Sequence, residues 1–361
     1  MNDKVFQAEA SSELFPCVFK DVESGVYLAE SKVPTSQSIG NVQLVVDNNV
    51  LGALNESPQM FKRLAWTLGQ DSTPTGSVVS INPFWAVAEQ YLSNPDNAFS
   101  KIDAFAKHPG TMGTFASGYA SSILETVRAN DSVLREQIGK LICYFFVMKE
   151  LYHSKLTLHQ RVEQWLDFYK NDIPRLMVPY ILGQLFFFGK DDSAMRFKST
   201  GRKVQDWGQG FLAIRSKERG NPARWIRNRL FDILPFQMLP TMNWGAHGGI
   251  SSRLFVLSQD ADVGECFLRI FSWNGDQYEN ALWKLHTNFS CLIFPAYEEF
   301  QLRTFGRLEA RHITDDSQKT ERLKNLVDVT IKFLPPSSQQ DLLTALNEFQ
   351  FFGVLSHRDD E

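Results

Sequence analysis

Four acidic residues stand where a fold could gather them for metal-assisted chemistry: Asp47, Glu89, Asp232 and Asp260. Asp47 follows the apolar run Val42-Gln43-Leu44-Val45-Val46. Asp260 follows Leu254-Phe255-Val256-Leu257 through Ser258-Gln259. Runs this short and apolar predict strands of a parallel sheet buried on both faces. In open α/β sheets the functional crevice lies beyond the carboxyl ends of the strands, so both acids would sit on one rim. Carboxylates gathered there repel one another unless a cation joins them. Their hard oxygens suit Mg²⁺ or Mn²⁺. Such ions in a pair activate water and stabilise the leaving oxygen in phosphodiester hydrolysis.

Each residue also has a plainer reading. Asp47 could close a turn with Asn48 and Asn49. Glu89 could be a solvated helix carboxylate, although Phe84, Trp85, Val87 and Ala88 surround it in sequence. Asp232 could pair with Arg229 along a helix. Asp262 opens Asp262-Val263-Gly264-Glu265, the spacing of a capping box, and reads as a cap before it reads as a ligand. Asn49 and Ser258 are accessory candidates, Ser258 for orienting water. The seven histidines show no metal-type spacing, and no phosphate-binding glycine loop or nucleophile elbow is present.

The elements that must position these acids follow from pattern. Val42–Val46, 78–81, 253–257 and 289–294 read as strands. Ser57-Pro58 and Asn82-Pro83 each supply a cap and first-turn proline, predicting helices to about Gly69 and through Glu89. From about residue 98 to 212 the pattern is mainly helical. Asn221-Pro222 opens a further helix that Pro235 should kink or end. A helix is expected over 262–271, another over about 316–333, and a last one from Ser338 to about Phe351. Strand–helix alternation at both ends with helices between predicts an α/β parallel-sheet core.

The segment Val45-Val46-Asp47-Asn48-Asn49-Val50-Leu51 resembles the first motif of PIN-domain nucleases. Asn82-Pro83 through Ala88-Glu89 is similar to the helix bearing that family's second acid, and Arg229-Leu230-Phe231-Asp232-Ile233 to its third-acid helix. Phe255 through Asp260 resembles the fourth motif. The interval from Glu89 to Asp232 exceeds that of compact members. The resemblance therefore implies a PIN-like core in two parts, 42–97 and 221–300, split by a helical insertion over 98–220. Residues 1–41 would be an N-terminal extension and 301–361 a helical C-terminal tail. It further implies an endonuclease using Mg²⁺ or Mn²⁺ held by the four acids, with water attacking phosphorus in line. The products would carry a 5′-phosphate and a 3′-hydroxyl.

The chain of 361 residues carries a net charge of −4, which does not announce a nucleic-acid partner. The charge is uneven, however. Between Arg196 and Arg229 ten basic residues face only Asp206 and Glu218. Arg202, Lys203, Arg215, Lys217, Arg224, Arg227 and Arg229 are thus candidate phosphate contacts, with Trp207, Phe211 and Trp225 interleaved for stacking. The plainer reading is a solvated basic face over core tryptophans. RNA is expected over DNA, and the insertion could hold a protein partner. Cys17, Cys143, Cys266 and Cys291 lack zinc spacing and read as buried free thiols. No run is long and apolar enough for a membrane span, and a cytoplasmic protein is expected. Two further readings stay open: a non-catalytic interaction protein on the same fold, and a metal-dependent phosphohydrolase on small nucleotides.

Overall fold

The computed structural model describes residues 6–10, 18–21, 25–31, 42–56, 79–107, 117–193, 203–213, 221–245, 253–260 and 315–359. They divide between two compact units, one drawn from Met1–Asp131 and Pro235–His286, the other from Ser132–Leu234 and Thr287–Glu361.

The first unit is built on a six-stranded sheet: β1 (Phe6–Ala10), β2 (Val18–Asp21), β3 (Tyr27–Ser31), β4 (Val42–Val46), β5 (Val79–Asn82) and β6 (Arg253–Ser258). Its spatial order is β1-β2-β3-β6-β4-β5. β6, β4 and β5 run parallel, whereas β1 to β3 join antiparallel and β3 meets β6 antiparallel. Parallel neighbours on both sides require β4 to be buried on both faces, and Leu44, Val45 and Val46 are fully buried in succession. Three parallel strands therefore exist as expected, in a mixed sheet. The segment 1–41 is not an appended extension: it supplies β1, β2 and β3.

Among the described residues, four helices belong with this sheet: α1 (Asn48–Glu56), α2 (Phe84–Ser93), α3 (Ala98–Lys107) and α4 (Tyr119–Ala129). α1 was not foreseen. It starts one residue after Asp47, with Val50, Leu51 and Leu54 forming its buried stripe. α2 begins where Asn82-Pro83 predicts, the Asn82 Oδ1 accepting the Phe84 N–H at 3.0 Å. Tyr119 ties α4 to the sheet by donating its hydroxyl to the Ile81 carbonyl at 3.1 Å.

The second unit is helical: α5 (Asp131–His153), α6 (Leu158–Lys170), α7 (Met177–Asp191), α8 (Val204–Leu212), α9 (Pro222–Gly245), α10 (Asp316–Phe333), α11 (Pro336–Glu348) and α12 (Phe351–Asp359). The first residue of α5 and the last turns of α9 are assigned to the sheet unit. The expected insertion and tail are consequently not separate. The Phe168 ring on α6 meets Phe333 on α10, and Arg135 on α5 donates to the Phe349 carbonyl at 3.0 Å. The 98–131 stretch of the expected insertion belongs instead with the sheet. Two further details differ from expectation. α9 continues past Pro235 and Pro240, each of which removes one helical hydrogen bond. The last helix is two, α11 and α12, broken where Gln350 takes a left-handed φ of 56° between the buried rings of Phe349 and Phe351.

The expected helices over 57–69 and 262–271 and the strand over 289–294 lie outside the described residues. Among the described residues no helix is long and apolar enough to cross a membrane.

Candidate functional site

The register of the parallel strands builds the site. Val46 of β4 lies beside Leu257 of β6. The next residue on each strand therefore adjoins its counterpart, and these are Asp47 and Ser258. Ser258 is buried and donates its hydroxyl to Asp47 Oδ2 at 2.7 Å, across 211 positions of chain. The same hydroxyl oxygen accepts the Asp260 N–H at 3.1 Å. One serine thus fixes Asp47 and turns the chain so that Asp260 follows onto the same rim.

Asp47 is also the N-cap of α1. Its Oδ1 accepts the Val50 N–H at 2.7 Å and its carbonyl accepts the Leu51 N–H at 2.9 Å. The capping reading of Asp47 is therefore real, with a helix in place of the turn. Burial pushes the Asp47 carboxyl above the usual carboxylate range. The hydrogen bonds from Val50, Ser258 and the Asn49 backbone oppose that rise, and the Asp260 charge adds to it. The Asp260 charge is thus close enough to disfavour ionisation of Asp47, whose burial already disfavours charge.

A second layer of contacts joins this rim to α2 and α3. Asn48 Oδ1 accepts from Gln90 Nε2 at 2.8 Å and from Lys101 Nζ at 2.9 Å. Glu89 is half-buried on α2, next to Gln90. Asn49, the expected accessory residue, is exposed, and its neighbour Asn48 makes the side-chain contacts. Asn48, Gln90 and Lys101 were not singled out from the sequence. Asn48 carried a signal, as part of an Asp-Asn-Asn run after a strand. Lys101 carried none, because its position comes from the packing of α3 against α1.

The other expected residues fall elsewhere. Asp232 lies half-buried on the part of α9 assigned to the helical unit, whereas Asp47, Glu89 and Asp260 belong with the sheet. Of the basic segment, two of the described arginines are engaged in packing. Arg229 is buried, and its Nε donates to the Phe211 carbonyl at 2.9 Å. Arg227 is ion-paired with Glu348 and covers the Phe349 ring. Both side chains hold the helical unit together. Trp207, Phe211 and Trp225 are buried in its core and are not stacking platforms. Arg224 is exposed and Lys203 half-buried at the start of α8. Asp262, Arg202, Arg215 and Lys217 lie outside the described residues, as do Cys17, Cys266 and Cys291. Cys143 is a free buried thiol whose pKa burial raises to about 12.

Among the described residues no group of three or more His, Cys, Asp or Glu is placed to hold a metal. Asp47 and Asp260 offer a two-carboxylate oxygen set, which suits an ion that keeps several waters and takes further ligands from a phosphate substrate. That donor set fits Mg²⁺ or Mn²⁺ and lacks the nitrogen or sulfur ligands zinc prefers. No family model matches the chain, and neither a curated protein nor a solved structure does.

Proposed function

We propose that this chain is a metal-dependent nuclease with a PIN-like core, acting on RNA in preference to DNA. The observation that carries the reading is the link Asp47–Ser258–Asp260 at the carboxyl ends of two parallel strands. Two acids at a sheet rim, one of them raised by burial and by the other's charge, favour a bound cation. Asp47 and Asp260 would hold Mg²⁺ or Mn²⁺, with Glu89 of the same unit the expected third acid. The cation supplies Lewis-acid activation of water and of the scissile phosphate. Ser258 keeps the Asp47 carboxylate in one orientation and fixes the turn to Asp260, so both ligands are pre-positioned. Asp232 is not assigned to this set.

The capping of α1 by Asp47 favours a second reading, in which the rim is structural and the protein binds partners without catalysis. Asp47→Asn separates the two, because asparagine caps a helix about as well as aspartate does. Cleavage of labelled RNA with and without Mn²⁺ is the assay. Metal-stimulated cleavage in the wild type, lost in a folded Asp47→Asn variant, is expected. No metal-stimulated cleavage by the wild type, or full cleavage by the variant, removes the nuclease reading. Cleavage confined to mononucleotides would redirect it to a phosphohydrolase.

A further inference from the structure

We propose that Lys190 is a covalent modification site of the helical unit, whose amine accepts an activated acyl group from a thioester or an acyl phosphate. The inference is independent of the acid rim, which belongs to the sheet unit. Lys190 stands in the last turn of α7, half-buried, with its ammonium only partly withdrawn from solvent. Its Nζ donates to two carbonyls at the end of α5, that of Tyr152 and, at 3.0 Å, that of Ser154. The Tyr152 ring lies under it, with 5.4 Å from Nζ to the ring centroid. The adjacent carboxylate, Asp191, is engaged by Arg161 of α6, whose guanidinium also donates to the Leu156 carbonyl. Among the described residues Lys190 forms no ion pair, and both of its acceptors are neutral.

An ammonium carries three N–H donors, and two are used here. Loss of one proton leaves an amine that keeps both bonds and places its lone pair in the third position. Deprotonation therefore sacrifices neither contact. Burial and the neighbouring Arg161 charge hold the Lys190 ammonium below the ordinary lysine value of 10.5, and the Asp191 charge opposes them. Other titratable groups at this junction are Tyr152 and His153 on α5 and Asp206 on α8. In the reaction the amine nitrogen forms a bond to the acyl carbon. The thiolate or phosphate leaves with the electron pair of its own bond to that carbon, and the proton shed by nitrogen passes to it. The amide product is neutral and has one N–H for two carbonyls, so acylation loosens the join of α7 to the end of α5. The plainer alternative is a lysine that only caps α5. A cation held solely by helix C-terminal carbonyls would keep its proton more firmly than a free lysine does.

The full chain is incubated with acetyl-coenzyme A or with acetyl phosphate at a series of neutral to alkaline pH values, and peptide mass spectrometry follows the acetylation of each lysine. Lys155, exposed in the turn after α5, is the internal reference. Lys190 should be acetylated, and the midpoint of its rate against pH should lie below that of Lys155. Reaction with one donor and not the other identifies the acyl source. No acetylation of Lys190 by either donor overturns the proposal. A midpoint equal to or above that of Lys155 overturns it as well, since that is the behaviour of a capping cation. The consequence for the fold is read separately by urea unfolding. Lys190→Gln, which carries a neutral amide as the product does, should unfold at lower urea than Lys190→Arg, which keeps the cation. Equal midpoints overturn the loosening of the α5–α7 join.

Discussion

In the helical unit, buried polar side chains close onto backbone carbonyls. Arg229 donates to Phe211, Trp165 to Tyr180 at 3.2 Å, and Tyr169 to Leu176 at 2.8 Å. At the rim of the sheet unit, polar side chains meet one another: Ser258 meets Asp47, and Gln90 and Lys101 meet Asn48. The first arrangement satisfies groups that would otherwise be costly to bury. The second brings two acids onto one rim, where burial raises the Asp47 carboxyl, and ties the adjoining Asn48 to Gln90 and Lys101. The contrast teaches that the basic, aromatic-rich segment, the more conspicuous feature of the sequence, includes residues that serve packing, while a few scattered polar residues make the candidate site.

The comparison can be broken most forcefully in the helical core. Trp165 is fully buried against Tyr144, Phe168, Tyr169 and Phe187. Trp165→Ala should cost about 3–5 kcal/mol in urea unfolding; a loss under about 1 kcal/mol would deny the unit its packing role.

At the rim the expected sign is different: little change in stability and a large change in activity. Asp260→Asn should lower Mn²⁺-stimulated cleavage at least ~100-fold, the upper end of what disturbing a metal's ligand shell costs. Near-normal turnover in that variant would place the site elsewhere. Mn²⁺ itself should stabilise the wild type, by about 2.7 kcal/mol at a free concentration near 100 times Kd, and leave Asp47→Asn unmoved. Equal stabilisation of both proteins in thermal unfolding would mean that the ion binds at another place.

Smaller effects sharpen the contrast. In the helical unit Thr157 caps α6 reciprocally, its N–H donating to Gln160 Oε1 at 3.0 Å and its Oγ1 accepting the Gln160 N–H at 3.3 Å. Thr157→Ala should cost about 1 kcal/mol, read from the urea midpoint without loss of cleavage. The pH response belongs to the rim. The folded Asp47 carboxyl is raised, so the folded chain keeps a proton that the unfolded chain has released. Metal-free stability from this group is therefore greatest below the ordinary aspartate value of 3.8. It declines as pH rises through the raised value and is level beyond it. Asp47→Asn should flatten that decline in thermal melts recorded against pH, and an identical profile would assign the titration to another group.

Several parts of this molecule were legible from local pattern. The β4 run Val42–Val46 was read as a doubly buried strand because only neighbours on both sides make an unbroken apolar run favourable. Asn82-Pro83 announced α2, and the residues of α10 were read at their observed bounds. α1 was missed because Asn48-Asn49 reads as a turn, while Asp47 as a cap satisfies the first backbone donors and lets a helix begin there. The strands of 1–41 were missed because short, weakly apolar segments become strands only when a partner edge is supplied, here by β6 through β3.

The sequence by itself determined that acids follow two buried strands and that Asp47 is one of them. Local composition fixes a strand and what ends it. Only the tertiary structure decided which residues meet there. The parallel register set Ser258 beside Asp47, helix packing brought Lys101 and Gln90 to Asn48, and the division into two units assigned Asp232 away from the sheet. Contacts between residues far apart in the chain depend on register and packing geometry, and no local pattern encodes them.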